Sequence, residues 1–442
     1  MELHKSVGKR KEALKKLLHV VTQNENAIIE ALRLDFQKPA FEAVLSETFI
    51  VMSELRNTIR SLKSWSKDEF VFPSILNFPS TDHIVKQPFG SVLVIAPWNY
   101  PFQLSMLPVI AAFSAGNSVI LKPSELTPNT SEIVSRIISE VFDATEVEVF
   151  QGGSEVAEKL LERRWDKIFF TGSVSVGKKV AQAAAKNLTP VVLELGGKNP
   201  CIVTKSANLK IAAKRIVWGK FLNAGQTCIA PDYVLVDASK KSEFLTLLKS
   251  EIESAYGNNP SESPDFARII TARHWQRLVD LIAHEKVVHG GQSDLKTKYI
   301  APTVIDESDL DSEIMKDEIF GPLLPVIGFS SQDELDSVVN RYEKPLSLYV
   351  FGDDSTETKR LMKRYSFGGG CINDVVVHFA NNRLPFGGVG HSGMGSYHGK
   401  HSFEAFIHRK SVVKRATWLD IPLRYAPYKN KISIVRKWFK WL

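Results

Sequence analysis

Residues 91–121 read SVLVIAPWNYPFQLSMLPVIAAFSAGNSVIL, and this stretch decides the predicted fold. The apolar run at 91–96 ends at a turn, a helical pattern covers 103–115, and a second apolar run follows at 118–121. Gly116 would close the helix, since glycine readily takes the left-handed conformation found at helix ends. Short apolar runs are typical of strands in a parallel sheet that is buried on both faces. The stretch therefore predicts a strand–helix–strand unit.

The same alternation continues on both sides of Gly197. Upstream, apolar runs at 168–170 and 191–193 extend the pattern, which argues for a doubly wound parallel sheet in an α/β protein. Downstream, a second set of strands and helices is predicted at 201–203, 208–222, 233–236 and 241–255. We interpret this second set as a separate α/β domain.

Three segments lie outside this alternation. Residues 11–70 have helical patterns separated by polar turns, and we place their end before Pro73, because proline disfavours helix at the residue before it. Residues 71–90 hold three prolines and are predicted to be extended connections. Residues 384–399 are rich in glycine.

The composition bounds the class of protein. The chain has 442 residues, 44% of them hydrophobic, which is too long for one simple core and predicts two or three substructures. Its three cysteines cannot form a full disulfide framework, so we expect a reducing compartment and at least one free thiol. The first ten residues are polar and basic and lack the apolar core of a signal peptide. These features predict a cytoplasmic protein.

The net charge of +7 is carried by the C-terminal tail, residues 411–442. Residues 1–410 are neutral by count, so a nucleic-acid function has no support in the body of the chain. The tail holds one acid, Asp420, and eight basic residues, which are Lys414, Arg415, Arg424, Lys429, Lys431, Arg436, Lys437 and Lys440.

Two side chains could carry covalent chemistry. Cys228 ends the stretch NAGQTC, and Glu194 lies in LELGGK. An isolated cysteine is more often an inert core thiol than a nucleophile, but Cys228 follows polar and glycine residues rather than an apolar run. The pair could supply a soft nucleophile and a base for water, the minimum for making and hydrolysing a thioester. Cys201 and Cys371 lie on apolar or glycine-rich segments, and we interpret both as structural.

Seven short motifs, in a fixed order and at fixed separations, give the chain a family resemblance. They are PWNYP (97–101), LKPSE (121–125), FTGS (170–173), ELGGK (194–198), GQTC (225–228), EIFGP (318–322) and PFGGVG (385–390). Each would be weak alone, but together they resemble the aldehyde dehydrogenases, and most closely the class 3 or fatty-aldehyde branch. The resemblance covers about residues 10–410.

The resemblance implies a reaction and an assembly. An aldehyde, either a medium- or long-chain aliphatic one or an aromatic one, would be oxidised to its acid with NAD, or alternatively NADP. Cys228 would form a thiohemiacetal and then a thioester, which water activated by Glu194 would hydrolyse, and no metal ion is implied. The chain would be a homodimer with an NAD-binding domain at 1–195 that includes bridging strands near 76–90, a catalytic domain at 196–383, a return and bridging segment at 384–410, and a basic tail at 411–442.

Asn99 and Glu194 each have an ordinary structural alternative. Asn99 matches the family's oxyanion donor, since addition to a carbonyl puts negative charge on oxygen, and one such donor is worth about 3 kcal/mol in comparable sites. The backbone N–H of Cys228 would be the second donor. Alternatively, Asn99 is simply a turn residue. Glu194 matches the general base, which relatives that transfer the acyl group to coenzyme A tend to lack. Alternatively, it is a strand-end carboxylate paired with a lysine.

The predicted cofactor site begins with the glycine turn at 172–177. It follows a predicted strand and precedes a helix, so its backbone could approach a pyrophosphate at the helix N-terminus. Its spacing differs from the usual dinucleotide motif, and alone it would indicate an ordinary turn. The resemblance places Glu318 and Phe320 at the nicotinamide ribose and ring. The full predicted set is Trp98, Lys122, Glu125, Gly172, Ser173, Val174, Ser175, Val176, Gly177, Glu318 and Phe320.

Lys122 and Glu125 bear on the choice of cofactor. They follow a strand at its carboxyl end, where open α/β sheets bind ligands. The resemblance places both at the adenosine ribose, where a glutamate repels a 2′-phosphate and favours NAD over NADP. Alternatively, both are solvated surface charges.

The end of the tail, residues 431–442, predicts a short amphipathic helix whose apolar face holds Ile432, Val435, Trp438, Phe439 and Leu442. Such a helix would be about 18 Å long, too short to cross a bilayer core of about 30 Å. Tryptophan combined with lysine suits the membrane interface. Two alternatives stay open, in which the tail covers the substrate mouth or contacts a dimer neighbour, because related fatty-aldehyde enzymes use C-terminal extensions in several ways.

Two other classes of function stay open from the sequence. The chain could be a catalytically retired relative that acts as a binding protein, although Cys228, Glu194 and Asn99 are all present. It could also be a membrane-surface scaffold whose main function resides in the tail. Production of NADH from an aldehyde distinguishes both from the enzyme.

Overall fold

The computed structural model describes residues 6–438 in two compact units. The larger unit contains residues 6–65 and 88–407, and the smaller contains 66–87 and 408–438. Predictions for Phe439, Lys440 and Leu442, and for the side chain of Trp438, lie outside what the structure describes.

The regular elements are numbered in chain order. The helices are α1 (Val7–Gln23), α2 (Glu25–Phe36), α3 (Ala40–Ala43), α4 (Phe49–Trp65), α5 (Pro101–Ala115), α6 (Pro128–Val141), α7 (Ser154–Glu162), α8 (Val174–Ala185), α9 (Leu209–Phe221), α10 (Lys241–Tyr256), α11 (Ala272–Ile282), α12 (Glu313–Lys316), α13 (Gln332–Val339), α14 (Ser355–Arg364), α15 (Lys400–Ala405) and α16 (Lys431–Trp438). The strands are β1 (Glu69–Val71), β2 (Ser80–Pro88), β3 (Ser91–Ile95), β4 (Ser118–Lys122), β5 (Val147–Val149), β6 (Lys167–Thr171), β7 (Val191–Glu194), β8 (Pro200–Val203), β9 (Tyr233–Asp237), β10 (Val287–His289), β11 (Ser293–Asp294), β12 (Tyr299–Ile300), β13 (Thr303–Asp306), β14 (Leu323–Phe329), β15 (Ser347–Phe351), β16 (Gly369–Ile372), β17 (Gly393–Met394) and β18 (Ile407–Arg415).

The N-terminal region is helical because its apolar residues recur at helical spacing. Leu14, Leu17 and Val21 of α1 are fully buried, and a π-helical turn at Val44–Thr48 joins α3 to α4. The prediction of helix up to residue 70 is wrong at its end. The last helix stops at Trp65, because residues 69–71 pair as strand β1 with β2, and sequence-local signals do not report such a pairing.

The stretch at 91–121 forms the predicted strand–helix–strand unit at the centre of a six-stranded sheet. The strand order is β17-β7-β6-β3-β4-β5, and only β17 pairs antiparallel among the pairings described. Every residue of α5 is buried, which explains why that helix is apolar on all sides. Gly116 ends it in the left-handed conformation, with φ 100°.

A seven-stranded sheet in the same unit confirms the second α/β set. Its order is β10-β13-β14-β9-β8-β15-β16, mostly parallel, with β10 antiparallel at one edge. The predicted strands at 201–203 and 233–236 lie side by side near its centre as β8 and β9. The sheet's core contains fully buried side chains such as Tyr233 and Tyr349.

The site region lies where the chain passes from the first sheet to the second. Strand β7 ends at Glu194, and the turn Leu195 to Asn199 leads into β8. The glycine-rich segment returns to the first sheet, because Gly393 of β17 pairs with Glu194. A Cβ at Gly393 would lie 2.3 Å from the backbone oxygen of Leu193, so the pairing requires glycine there.

The smaller unit is a three-stranded sheet with the order β1-β2-β18. Arg409 donates to the carboxylate of Glu69 at 2.6 Å and links β18 to β1. This unit exposes several large apolar side chains, which are Phe70, Phe72, Ile75, Leu76, Phe78, Val413, Trp418, Tyr428, Ile432 and Ile434. Across residues 6–438, the helices are all too short or too polar to span a bilayer.

Candidate active site

Two cavities of the larger unit meet at Cys228. The larger cavity has a volume of about 810 Å³ and a mixed polar wall, and the smaller has about 310 Å³ and a mainly apolar wall. Both walls include Thr171, Glu194, Leu195 and Cys228. The two side chains predicted to carry covalent chemistry therefore lie at the boundary between a polar and an apolar space.

The loop before Cys228 is held in an unusual backbone conformation. Asn223, Ala224 and Gly225 are consecutive left-handed residues, with φ of 55°, 53° and 74°. A Cβ at Gly225 would lie 2.3 Å from the backbone oxygen of Gly321, so only glycine fits. Left-handed non-glycine residues cost about 1–2 kcal/mol each and persist only where surrounding contacts impose them.

Side-chain amides hold the rest of this loop. Gln226 Oε1 accepts from Ile270 N at 3.0 Å, and its Nε2 donates to the backbone oxygens of Asn223 and Arg268 at 3.0 and 3.1 Å. Asn199 Nδ2 donates to the backbone oxygen of Cys228 at 2.7 Å. The peptide of Cys228 is thus held by a side-chain hydrogen bond.

Asn99 lies in the wall of the larger cavity, next to this loop. Its Nδ2 donates to the backbone oxygen of Gln226 at 3.1 Å, and its backbone oxygen accepts from Asn223 Nδ2 at 2.9 Å. A primary amide has two N–H groups, so this bond leaves one N–H for a ligand. The next residue, Tyr100, shares a hydrogen bond of 2.6 Å with the Thr227 hydroxyl.

Glu194 is buried, and within residues 6–438 neither of its carboxylate oxygens has a hydrogen-bond partner. The alternative of a carboxylate paired with a lysine is therefore wrong, since Lys198 of the same motif binds Asp232 at 2.6 Å instead. Burial raises the pKa of Glu194 well above its usual range. A buried carboxyl without partners costs free energy, and such groups cluster at functional sites.

Cys228 is partly exposed to the cavities, and its backbone is fixed. Burial raises the pKa of its thiol, and the nearby charges of Glu318 and Glu194 raise it further. The thiol therefore keeps its proton until a base removes it. Cys201 and Cys371 are also free thiols, of which Cys201 is fully buried and Cys371 lies 3.6 Å from His378 Nδ1.

Trp98, Glu318 and Phe320 line the larger cavity together. The rings of Trp98 and Phe320 meet edge to face at 5.3 Å. Burial raises the pKa of Glu318 to about 8, with a further contribution from Asp232. Asp232 accepts from Ile319 N at 2.9 Å, so the ion pair between Lys198 and Asp232 also fixes the segment that carries Glu318.

The glycine turn contributes part of its predicted set to the same cavity. Residues 172–175 line the wall, and Ser173 caps α8 by accepting from Val176 N at 3.4 Å. Val176 and Gly177 lie outside the wall on the first turn of α8. Gly177 packs so closely that a Cβ would lie 2.5 Å from a methyl of Leu195.

Lys122 and Glu125 lie outside the wall of the larger cavity and bind each other at 2.5 Å. The Lys122 side chain is almost fully buried, whereas that of Glu125 is 43% exposed. The alternative of two solvated surface charges is thus wrong for Lys122. Lys122 is the last residue of β4 and Glu125 follows it, so both lie at the carboxyl end of that strand.

Some residues of the cavity walls come from distant segments and were not predicted from the sequence. His274 and Arg277, three residues apart on α11, line the larger cavity, and the His274 ring contacts Trp98 at 5.3 Å. The apolar cavity takes its wall from segments across the chain, including Leu45, Phe49, Leu104, Trp218, Val376, Phe379 and Phe386. The spacing of His274 and Arg277 on one face of α11 could have indicated a polar site. The scattered apolar positions resemble ordinary core residues and could not.

Comparison with known proteins gives consistent matches. The sequence model of the aldehyde dehydrogenase family matches residues 4–412. The 4,4'-diaponeurosporen-aldehyde dehydrogenase of Staphylococcus aureus (strain NCTC 8325 / PS 47) is 47% identical over 438 residues, which cover 99% of this chain and 95% of that protein. The "dimeric NADP-preferring" aldehyde dehydrogenase of Mus musculus is 44% identical over 407 residues, covering 92% and 90%. The solved substrate-bound state of Staphylococcus aureus AldH has a TM-score of 0.96 at 46% identity, covering 98% and 95%.

Proposed function

The chain belongs to the aldehyde dehydrogenase family and oxidises aldehydes with NAD or NADP, and from that premise we propose which of its residues carry each step. The single observation that carries the proposal is the shared wall of the two cavities. It brings Cys228 and the unpartnered carboxyl of Glu194 to the boundary between them.

Cys228 is the nucleophile. After loss of its proton, the Sγ attacks the aldehyde carbon and forms a thiohemiacetal, whose negative oxygen accepts from Asn99 Nδ2 and the backbone N–H of Cys228. The fixed loop supports this role, because donors that are already oriented stabilise a developing oxyanion without reorganising. Burial raises the thiol pKa, so the thiol must pass its proton to solvent in the cavity before the attack, and Glu194 acts only in the later hydrolysis.

The larger cavity suits a dinucleotide cofactor, which accepts a hydride from the thiohemiacetal carbon when bound. Its volume of about 810 Å³ lies in the range of small-molecule sites. The N-terminus of α8 favours a pyrophosphate, and Trp98 and Phe320 offer aromatic surface. Glu318, which lines this cavity, would accept from ribose hydroxyls. Lys122 and Glu125 would hold the adenosine ribose, where the carboxylate of Glu125 favours NAD.

Glu194 is the base that activates water to hydrolyse the thioester. Its carboxyl reaches both cavities and is without a competing partner in the described chain. A buried carboxyl with a raised pKa is a stronger base once ionised, which suits this step. The alternative of a catalytically retired protein is not favoured by any residue of this site.

The apolar cavity supports an apolar aldehyde as substrate, either a medium- or long-chain aliphatic one or an aromatic one. Its wall is mainly hydrophobic, and it ends at Cys228. The Staphylococcus aureus relative, whose name gives 4,4'-diaponeurosporen-aldehyde as its substrate, supports the same class.

The domain division is proposed as an NAD-binding domain at 1–195 with bridging strands near 76–90, a catalytic domain at 196–383, and a return and bridging segment at 384–410. The six-stranded and seven-stranded sheets support the first two of these domains.

A homodimer is proposed because the Mus musculus relative is named dimeric. The tail at 411–442 would contact an anionic membrane surface, supported by its charge and by the exposed Trp418, Ile432 and Ile434.

The proposal is tested with Cys228→Ala and purified aldehydes of increasing chain length. Turnover should vanish while NAD still binds with unchanged affinity, because the rest of the wall of the cofactor cavity is untouched. The wild-type specificity constant should rise with aldehyde chain length. Activity above a few per cent of wild type in Cys228→Ala would refute the nucleophile, and a preference for short polar aldehydes would refute the substrate class.

A further inference from the structure

A cluster of buried charges lies beneath the proposed oxyanion site. Lys38 binds Glu47 at 2.7 Å with both side chains fully buried, and Glu42 is buried beside them. Lys38 lies in the loop between α2 and α3, Glu42 lies in α3, and Glu47 lies in the π-helical turn. A buried ion pair contributes little net stability, because desolvation offsets the attraction. Stability alone therefore does not account for this cluster.

The cluster contacts the nucleophile loop through Glu42. Its Oε2 accepts from Asn223 N at 2.9 Å, and Asn223 is the first of the three left-handed residues. The Asn223 side chain donates to the backbone oxygens of Asn99 and Gln226 at 2.9 and 3.1 Å. One carboxylate thus fixes the residue that joins the Cys228 loop to the Asn99 loop.

The same cluster contacts the Asn99 loop from the other side. Glu47 Oε2 accepts from Gln103 N, in the first turn of α5, at 2.8 Å. The Lys38 ammonium lies 3.9 Å from the centre of the Tyr100 ring. The hydroxyl of Tyr100 in turn bonds Thr227, the residue before Cys228. Both sources of oxyanion donors are therefore anchored on one buried cluster.

We propose that Glu42 is a positioning residue that holds the left-handed loop so that the N–H groups of Asn99 and Cys228 converge on one oxygen. The inference rests on the proposed roles of Asn99 and Cys228. Glu42 lies outside the walls of both cavities, so it acts through Asn223 and not on the substrate. A displacement of about 1 Å at a reacting centre can cost on the order of a hundredfold in rate, so a residue that prevents such a displacement has a large effect on the rate.

The charge of Glu42 is sensitive to pH. Burial raises its pKa to about 7, Asp265 adds to that effect, and Lys38 and Asn223 N oppose it. The phenols of Tyr100 and Tyr256 also face this carboxyl, and Glu47 shares Lys38 with it. A carboxylate accepts a hydrogen bond more strongly than a neutral carboxyl, so the anchor should strengthen as pH rises through neutrality.

Glu42→Gln tests the inference through the rate of the first NADH burst. Above pH 8 we expect the burst rate to fall roughly tenfold, with an unchanged dissociation constant for NAD. Below pH 6 the ratio of wild type to variant should approach one, because protonated glutamate and glutamine are then both neutral. A purely structural role would give a ratio that does not vary with pH, and that result would overturn the inference.

Asp35→Asn is the matched control. Asp35 is also a buried carboxylate of the N-terminal helices, but it accepts from Asn129 and Thr130 at the start of α6, away from the site. It should lower the melting temperature without changing the burst rate. An equal loss of burst rate in Asp35→Asn would mean that the effect is general to this helical region, and would overturn the inference.

Two further variants address the case in which Glu42→Gln does not fold and the premise that Asn99 is an oxyanion donor. If Glu42→Gln does not fold, Asn223→Gly is measured instead, because it keeps the left-handed backbone but removes both hydrogen bonds of the Asn223 side chain. It should lower the burst rate by a similar factor, and an unchanged burst rate would refute the inference. Asn99→Ala tests the premise. A normal burst in Asn99→Ala refutes the oxyanion assignment, whereas a slowed burst there beside a normal burst in Glu42→Gln refutes the positioning role alone.

Discussion

Glu194→Gln should separate the two halves of the reaction. The substitution keeps the shape of the side chain but removes the group that can take a proton from water. Because Cys228 and Asn99 are untouched, the first hydride transfer should proceed and release about one NADH per active site. A general base contributes about 10²- to 10⁴-fold, so steady-state turnover should fall by roughly that factor.

Stability and pH give independent checks on this reasoning. Both carboxylate oxygens of Glu194 are unpartnered among residues 6–438, so the amide removes no hydrogen bond, and the free energy of unfolding should change by less than about 1 kcal/mol. The active base is the carboxylate, and burial raises its pKa. Its ionised fraction therefore rises with pH, and wild-type hydrolysis should rise up to about tenfold per pH unit below that pKa. The variant should lack this rise.

The assay is stopped-flow recording of NADH, combined with the intact mass of the protein after the burst. An acyl mass on the variant identifies the stalled thioester. Loss of burst and turnover together would refute the role in hydrolysis. Glu318→Gln is the comparison, since Glu318 lines the same cavity with a pKa raised to about 8. If Glu318→Gln shows the burst without turnover and Glu194→Gln turns over normally, the base is Glu318.

Three other predictions follow from the same structure. Glu125→Gln should raise the ratio of the NADP to the NAD specificity constant, because a charge that repels the 2′-phosphate is removed, and an unchanged ratio would place Glu125 away from the ribose. Gly225→Ala should lower the free energy of unfolding by more than Gly257→Ala does, since Gly257 has a similar φ of 77° but open space around a Cβ. The control, whose ψ of 178° lies in a region almost restricted to glycine, should itself cost about 1–3 kcal/mol. If chemical denaturation shows the same loss of free energy of unfolding in both variants, the close contact at Gly225 is not the cause. Deletion of 430–442 should weaken co-sedimentation with anionic vesicles by about 1 kcal/mol for each basic residue lost and shift the preference away from long aldehydes, and equal sedimentation of both forms would refute membrane contact.

The sequence predicted best where the deciding interactions are local. Strands β3 and β4 and helix α5 match the expected bounds to within two residues, because apolar runs and a terminal glycine report their own conformation. The predicted end of the helical region was wrong, because the pairing of β1 with β2 depends on residues as far as fifteen positions apart, as in Glu69 with Ile84.

The site divides in the same way. Motif order led to Cys228, Glu194 and Asn99, and the structure brings all three to the walls of adjoining cavities. Glu42 gave no signal, because a glutamate in a helical pattern resembles a solvated charge. Only the fold shows that its carboxylate is buried against a backbone N–H 181 residues away.

The meeting of the two cavities has a consequence for chemical intervention. An electrophile that carries a hydrophobic group has a path to the Cys228 sulfur through the apolar side, along Phe49, Trp218 and Phe379. That path does not cross the wall at 172–175. A covalent ligand built for it would draw its selectivity from the shape of an apolar wall whose residues are scattered between Leu45 and Ser402, and it could occupy the protein while the dinucleotide stays bound.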